Sequence, residues 1–136
     1  MESPSAAITT MEQRYKYALS LLVEQKYIIA IKEFESIINT APDSEYAEVS
    51  QINIGRTYFL NGDYKRALKA YEKVLEKYPG TKKTEEILER EYQLGIAQMD
   101  TNEEAAIKVF EKIIEKHHLG PVAPDAQVKI ADCYFK

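Results

Sequence analysis

At 136 residues, 45% hydrophobic and 29% charged, the chain has the makeup of one ordinary soluble globular unit. Its net charge of −4 comes from acids and bases interleaved throughout, and without a basic run it argues against a nucleic-acid binder. A single cysteine, Cys133, excludes an internal disulfide, and no apolar run approaches the ~20 residues of a membrane span.

The first eight residues, Met1–Ile8, are small and polar and read as a frayed tail. They have neither the basic start nor the apolar stretch of a secretory signal. Two compartments stay open: the cytoplasm, or the cell envelope with a signal lying outside this sequence. From Thr10 onward nearly everything has helical period. Thr10 with Gln13 forms a capping-box pattern that opens a helix running to about Gln25. A second helix covers Tyr27–Thr40, with Ile31, Phe34 and Ile38 on one face, and Pro42 ends it. Asp43 or Ser44 caps a third, which runs to about Asn61 and is followed by Gly62, where a left-handed residue is wanted. Asp63 caps a fourth, to about Tyr78, closed by Pro79-Gly80. A fifth begins at Thr81–Thr84 and runs to about Met99. Thr101-Asn102-Glu103-Glu104 opens a sixth, to about His117. After a loop over His118–Pro124, a seventh spans Asp125–Lys136. No stretch alternates apolar and polar with β-branched support, so no sheet is expected.

These helices repeat. Ala30-Ile31-Lys32-Glu33-Phe34 returns as Ala67-Leu68-Lys69-Ala70-Tyr71 and again as Ala106-Ile107-Lys108-Val109-Phe110, at offsets of 37 (67 − 30) and 39 (106 − 67) residues. Such periods mark stacked units, none of which can bury its apolar face alone. The first helices of the pairs carry Tyr17-Ala18-Leu21, Ile54-Gly55-Tyr58, Leu94-Gly95-Gln98 and Ile130-Ala131-Tyr134. The small residue stands where two helices must approach closely, and the ring four residues after each second-helix alanine fills the adjoining space.

Gly55, Tyr58, Gly62-Asp63-Tyr64, Ala67, Tyr71 and Pro79 resemble the signature of the tetratricopeptide repeat family. Ala18, Tyr27, Ala30, Phe34 and Pro42 match it in the first unit, and Gly95, Ala106 and Phe110 in the third. The third unit departs from the pattern. Gln98 replaces an apolar or aromatic residue, His118 replaces the closing proline, and the link from Gly95 to Ala106 is 11 residues against 12 from Gly55 to Ala67. The resemblance covers about Met11 to Lys136. It implies an all-α, right-handed solenoid of about three and a half helix pairs, in units of roughly 10–43, 44–80, 81–120 and a partial 121–136. The units exceed the usual period of about 34 residues. With the links Ala41-Pro42-Asp43-Ser44-Glu45-Tyr46-Ala47 and Tyr78-Pro79-Gly80-Thr81, they are similar to bacterial envelope members: the BamD type of outer-membrane assembly lipoprotein and the Tol-Pal accessory protein. The lipid-bearing N-terminal cysteine of the lipoprotein group has no counterpart here, so the resemblance carries no anchor over.

In this family the first helices line a concave face, and the alignment puts Tyr15, Leu19, Ile52, Arg56, Phe59, Tyr92, Ile96 and Met99 on it. That set is mostly apolar and aromatic, as suits the docking of an amphipathic helix or an extended peptide, although packing against a neighbouring helix would also account for several of its members. The resemblance thus implies a non-catalytic scaffold for a protein or peptide partner, with no nucleic acid, no membrane insertion and no cofactor. The alternatives are a cytoplasmic adaptor, or a recruiting domain of a larger enzyme. The lysines and asparagines that clamp chaperone tail carboxylates in some members are replaced by Tyr15, Leu19, Ile52 and Arg56, so no carboxylate clamp is expected.

Catalytic constellations are weak. His117 and His118 are adjacent, so on a helix they point ~100° apart and form no i, i+4 ligand pair. A cation favoured by the helix C-terminus is the better reading. Cys133 has no histidine near it and reads as a half-buried structural thiol. Glu85-Glu86, Glu89-Arg90-Glu91 and Glu103-Glu104 read as solvated faces. The last helix is apolar on more than one side, at Val128, Ile130, Ala131, Tyr134 and Phe135, where a terminal repeat is normally polar. A longer array is the favoured explanation; self-association, or docking on another protein, is the alternative.

Overall fold

The computed structural model describes residues 10–117 and 120–135. The expected tail at Met1–Ile8, and His118, lie outside them. Seven helices follow in order: α1 (Met11–Val23), α2 (Tyr27–Thr40), α3 (Glu45–Leu60), α4 (Tyr64–Lys77), α5 (Thr84–Gln98), α6 (Glu103–His117) and α7 (Ala123–Tyr134). Among the described residues there is no strand. The fold class is the expected one, an all-α helical repeat.

The caps explain where most helices begin. The side chains of Thr10, Ser44 and Asp63 accept the main-chain N–H of Gln13, Ala47 and Arg66. Each satisfies one of the donors that the first helical turn leaves unpaired. At the sixth helix the cap is Asn102, whose Oδ1 accepts from Ala105 N–H at 3.1 Å. The expected pattern starting at Thr101 is therefore shifted by one residue. The last helix starts two residues earlier than expected, at Ala123, because Pro124 fits the first turn, where its missing N–H costs nothing.

Two of the turns share one geometry. After α3, Gly62 takes φ +80°, with Gly62 N–H bonded to Phe59 O and Asp63 N–H to Tyr58 O. After α1, Gln25 takes φ 63°, with Gln25 N–H bonded to Leu22 O and Lys26 N–H to Leu21 O. Both are Schellman endings, which need a left-handed residue. The link between α5 and α6 has no positive φ and returns an Asn102 N–H to Gln98 O instead. That is the consequence of its missing residue.

The helices cluster into two compact units, Met1–Pro79 and Gly80–Lys136. In the first, α1 packs on α2, α2 on α3, and α3 on α4. Ala18, Ala30, Phe34, Ile37, Ala47 and Ile54 belong to its core. In the second, α5 packs on α6 and α6 on α7, around Leu94, Val109, Phe110 and Ile113. The small residues perform the role expected of them. A Cβ on Gly55 would lie 2.7 Å from the Tyr71 ring, and one on Gly95 would lie 2.5 Å from the Phe110 ring.

Candidate docking surface

In the first unit, α1 and α3 bring Tyr15 and Arg56 together through Asn53. Asn53 Nδ2 donates to Tyr15 Oη at 2.6 Å and to Val49 O at 3.0 Å, while Arg56 Nη1 donates to Asn53 Oδ1 at 3.2 Å. Tyr15 also stacks obliquely on Phe34 and Tyr46, with centroids 6.0 and 5.7 Å away. Burial pushes its hydroxyl pKa up, against the lowering effects of the Asn53 hydrogen bond and the Arg56 charge. Leu19 is half-buried and packs on the core beside Tyr15. Phe59 is half-buried at the end of α3, its ring 5.5 Å from that of Tyr64. Ile52 is only 3% exposed, so in this unit it supports the face from beneath.

In the second unit, Tyr92 and Ile96 lie on α5 and Met99 is its C-cap residue. Tyr92 stacks on the buried Phe110 with centroids 5.7 Å apart. Its hydroxyl pKa is raised, first by burial and then by the nearby charges of Asp125, Glu89 and Asp132. Ile96 is 39% exposed and Met99 is half-buried. Of the eight side chains, then, Ile96 stands out most openly, and Tyr15 and Tyr92 are partly committed to packing.

A second feature was not anticipated from the residues. Between α2 and α4, over α3, lies a groove of about 560 Å³ with a floor that includes Ile38, Ile54, Tyr58 and Ala70. One wall carries Arg66, Lys69, Lys73 and Lys77. Their i, i+3, i+7, i+11 spacing on one helix was the available signal. It is masked in the sequence because Glu72 and Glu76, which also line the groove with Glu35, are interleaved with them.

Other expectations are settled by burial. Glu91 is 6% exposed and buried inside the second unit, which corrects its reading as part of a solvated face. It occupies on α5 the place that Gln51, also buried, takes on α3. His117 does end α6, but its pKa is lowered, by burial first and by Lys116 second. Both effects work against the charged form, opposite to the expected stabilisation of a cation by the helix C-terminus. Cys133 is buried more completely than expected. Among the described residues no three His, Cys, Asp or Glu side chains gather as a metal site, and no helix is long and apolar enough to cross a membrane.

With the repeat geometry in view, comparison with known proteins decides the family. The family model YfiO, described as an outer membrane lipoprotein, matches residues 8–104, from the start of α1 through α5 into the first turn of α6. The chain belongs to that family. It is the BamD type of tetratricopeptide repeat protein. Families of this scaffold type are generally non-catalytic. Among solved structures, the chain is similar to a Podosopora anserina protein assigned as a kinesin light chain with nearly identical TPR-like repeats. The identity is 20%, the match covers 98% of this chain and 68% of that one, and the TM-score is 0.50. A second structure of that protein matches with the same identity and coverage at a TM-score of 0.49. At such identity the likeness shows the fold and nothing more. No curated protein matches the chain.

Proposed function

We propose that this chain is a non-catalytic scaffold of the bacterial cell envelope that holds a protein or peptide partner through first-helix side chains in each of its two units. Tyr15, Leu19, Arg56 and Phe59 serve in the first unit and Tyr92, Ile96 and Met99 in the second, with Ile52 as support beneath. The observation that carries this reading is an apolar side chain, Ile96, held 39% open on a first helix while the core around Leu94 and Phe110 is closed. Outward apolar side chains with aromatic and arginine neighbours are the ordinary makeup of a docking surface. Membership of an outer-membrane lipoprotein family supports the compartment. The only cation of the set, Arg56, is engaged with Asn53, which supports the absence of a carboxylate clamp.

The test is affinity capture with the full chain and with two variants, Phe59→Glu and Ile96→Glu. Both side chains are partly open, so the charge enters without breaking the core. Loss of the same partner in both variants is expected. Unchanged capture by both would overturn the reading. Micromolar binding of an acidic chaperone tail peptide in a calorimetric titration would overturn the absence of a clamp.

A further inference from the structure

The groove between α2 and α4 is apolar at its base and charged at its rim. Ile38, Ile54 and Ala70 on its floor are buried, and Tyr58 is half-buried. Gln51, which also lines it, is committed to the fold, since its Nε2 donates to the main-chain carbonyl of Ala70 at 3.3 Å. The floor therefore favours apolar contact over new hydrogen bonds. On the α2 side the rim carries Glu35 and Asn39, both exposed.

The α4 wall is ordered by charge. At ~100° per residue, Lys77, Arg66 and Lys73 fall within about 20–60° of the floor residue Ala70, and Lys69 falls at about 100°. Glu76 and Glu72 come after them, at about 120° and 160°. The charged side chains next to the floor are thus cations, and the carboxylates of this helix stand behind them. All four cations are exposed. Arg66 is paired with Asp63 at 2.8 Å, whereas among the described residues no ion pair engages Lys69, Lys73 or Lys77. From Arg66 to Lys77 the wall is ~16.5 Å long, at 1.5 Å per residue. A helix of that length and about 10 Å across fills about 1,300 Å³. The groove's 560 Å³ seats a little under half of it, the share that an amphipathic helix buries.

We propose that this groove is a docking site for an acidic amphipathic helix of another protein. Its apolar stripe lies on Ile38, Ile54, Tyr58 and Ala70, and carboxylates along one flank meet Arg66, Lys73 and Lys77. Those cations are seven and four residues apart, steps of ~10 and ~6 Å, which acids at the same helical spacing on a helix running alongside reproduce. The flank toward α2 is uncharged or basic, because Glu35 stands there. The groove uses none of the first-helix side chains proposed above, so the two surfaces stand or fall separately.

The probe is a fluorescein-labelled synthetic peptide of about 15 residues, the length at which an isolated helix begins to hold in water. It has leucines at i, i+4, i+7 and i+11, glutamates along one flank of that stripe and glutamines along the other. It is titrated against the full chain by fluorescence anisotropy. Saturable binding is expected, weakened about tenfold or more by Lys73→Glu combined with Lys77→Glu. A second peptide, with lysine in place of each glutamate, should bind that double variant and not the parent. A third, with serine in place of each leucine, should bind neither. Ile96→Glu, and the same charge reversal at Lys108 and Lys116 on α6, should leave binding of the first peptide unchanged. All of these positions are exposed, so circular dichroism should show every variant folded. Absent or unsaturable binding overturns the proposal, as does equal binding of the parent to any two of the peptides. Equal weakening by reversal at Lys108 and Lys116 reduces the effect to bulk charge and overturns it as well. A dimer by light scattering that the double variant dissociates would assign the groove to a second copy, and would also overturn it.

Discussion

Substituting Gly55 with alanine should weaken the first unit, against the usual trend. Inside an exposed helix, Gly→Ala gains about 1 kcal/mol because alanine loses less backbone entropy on folding. At Gly55 the new Cβ would meet three carbons of the Tyr71 ring at 2.7, 2.8 and 2.9 Å. Carbon atoms prefer about 3.5–4.0 Å, so the overlap approaches about 1 Å. Tyr71 is buried and cannot swing into solvent. Either its ring leaves its rotamer or α3 and α4 part, and overpacking of this kind costs about 1–3 kcal/mol. Set against the helix gain, the net loss is about 1 kcal/mol. In a Tyr71→Leu background the obstacle is gone, and Gly55→Ala should become stabilising. The coupling between the two sites should therefore be about 1–3 kcal/mol, measured by urea unfolding of the four proteins in a double-mutant cycle. Gly80→Ala is the control, since nothing lies within 4 Å of its Cβ position. If Gly55→Ala stabilises the parent chain, or the cycle closes without coupling, the close approach of α3 and α4 is wrong.

Three further outcomes follow from named residues. Gln25→Gly should stabilise by about 0.5–1 kcal/mol, because a left-handed conformation costs an L-residue ~1–2 kcal/mol and glycine's greater freedom in the unfolded chain returns part of that. Gly62→Gln, the reciprocal change at φ +80°, should destabilise, and equal signs for the two in thermal melts would refute the shared turn geometry. Phe34→Ala should lower stability by ~3–5 kcal/mol in chemical denaturation by emptying a fully buried position; an unchanged midpoint would move Phe34 out of the core. Finally, because the folded pKa of His117 lies below 6.5, the unfolded chain takes up the proton more readily. Its contribution therefore destabilises progressively as pH falls through 6.5 toward the folded pKa and disappears above 6.5. The difference in unfolding midpoint between parent and His117→Gln, followed from pH 5 to 8, should show that slope, and a slope of opposite sign would refute it.

Much of this molecule is legible in the order of its residues, because helical structure is decided nearby. Apolar side chains three and four apart, the caps at Ser44 and Asp63 and the glycine at position 62 all act within one or two turns. The repeated alanine with a ring four residues on likewise fixes which face of each second helix turns inward. What escapes this reading depends on partners distant along the chain. Gln25 adopts a left-handed conformation only because the turn it closes must bring α2 back against α1, and nothing in its own chemistry favours that. Glu91 and Gln127 stand at equivalent places on equivalent helices, yet the first is buried and the second is exposed. The difference is the helix that lies across one and not the other. A residue's own pattern says which way its side chain points; whether anything comes to meet it there is decided only when the helices are assembled.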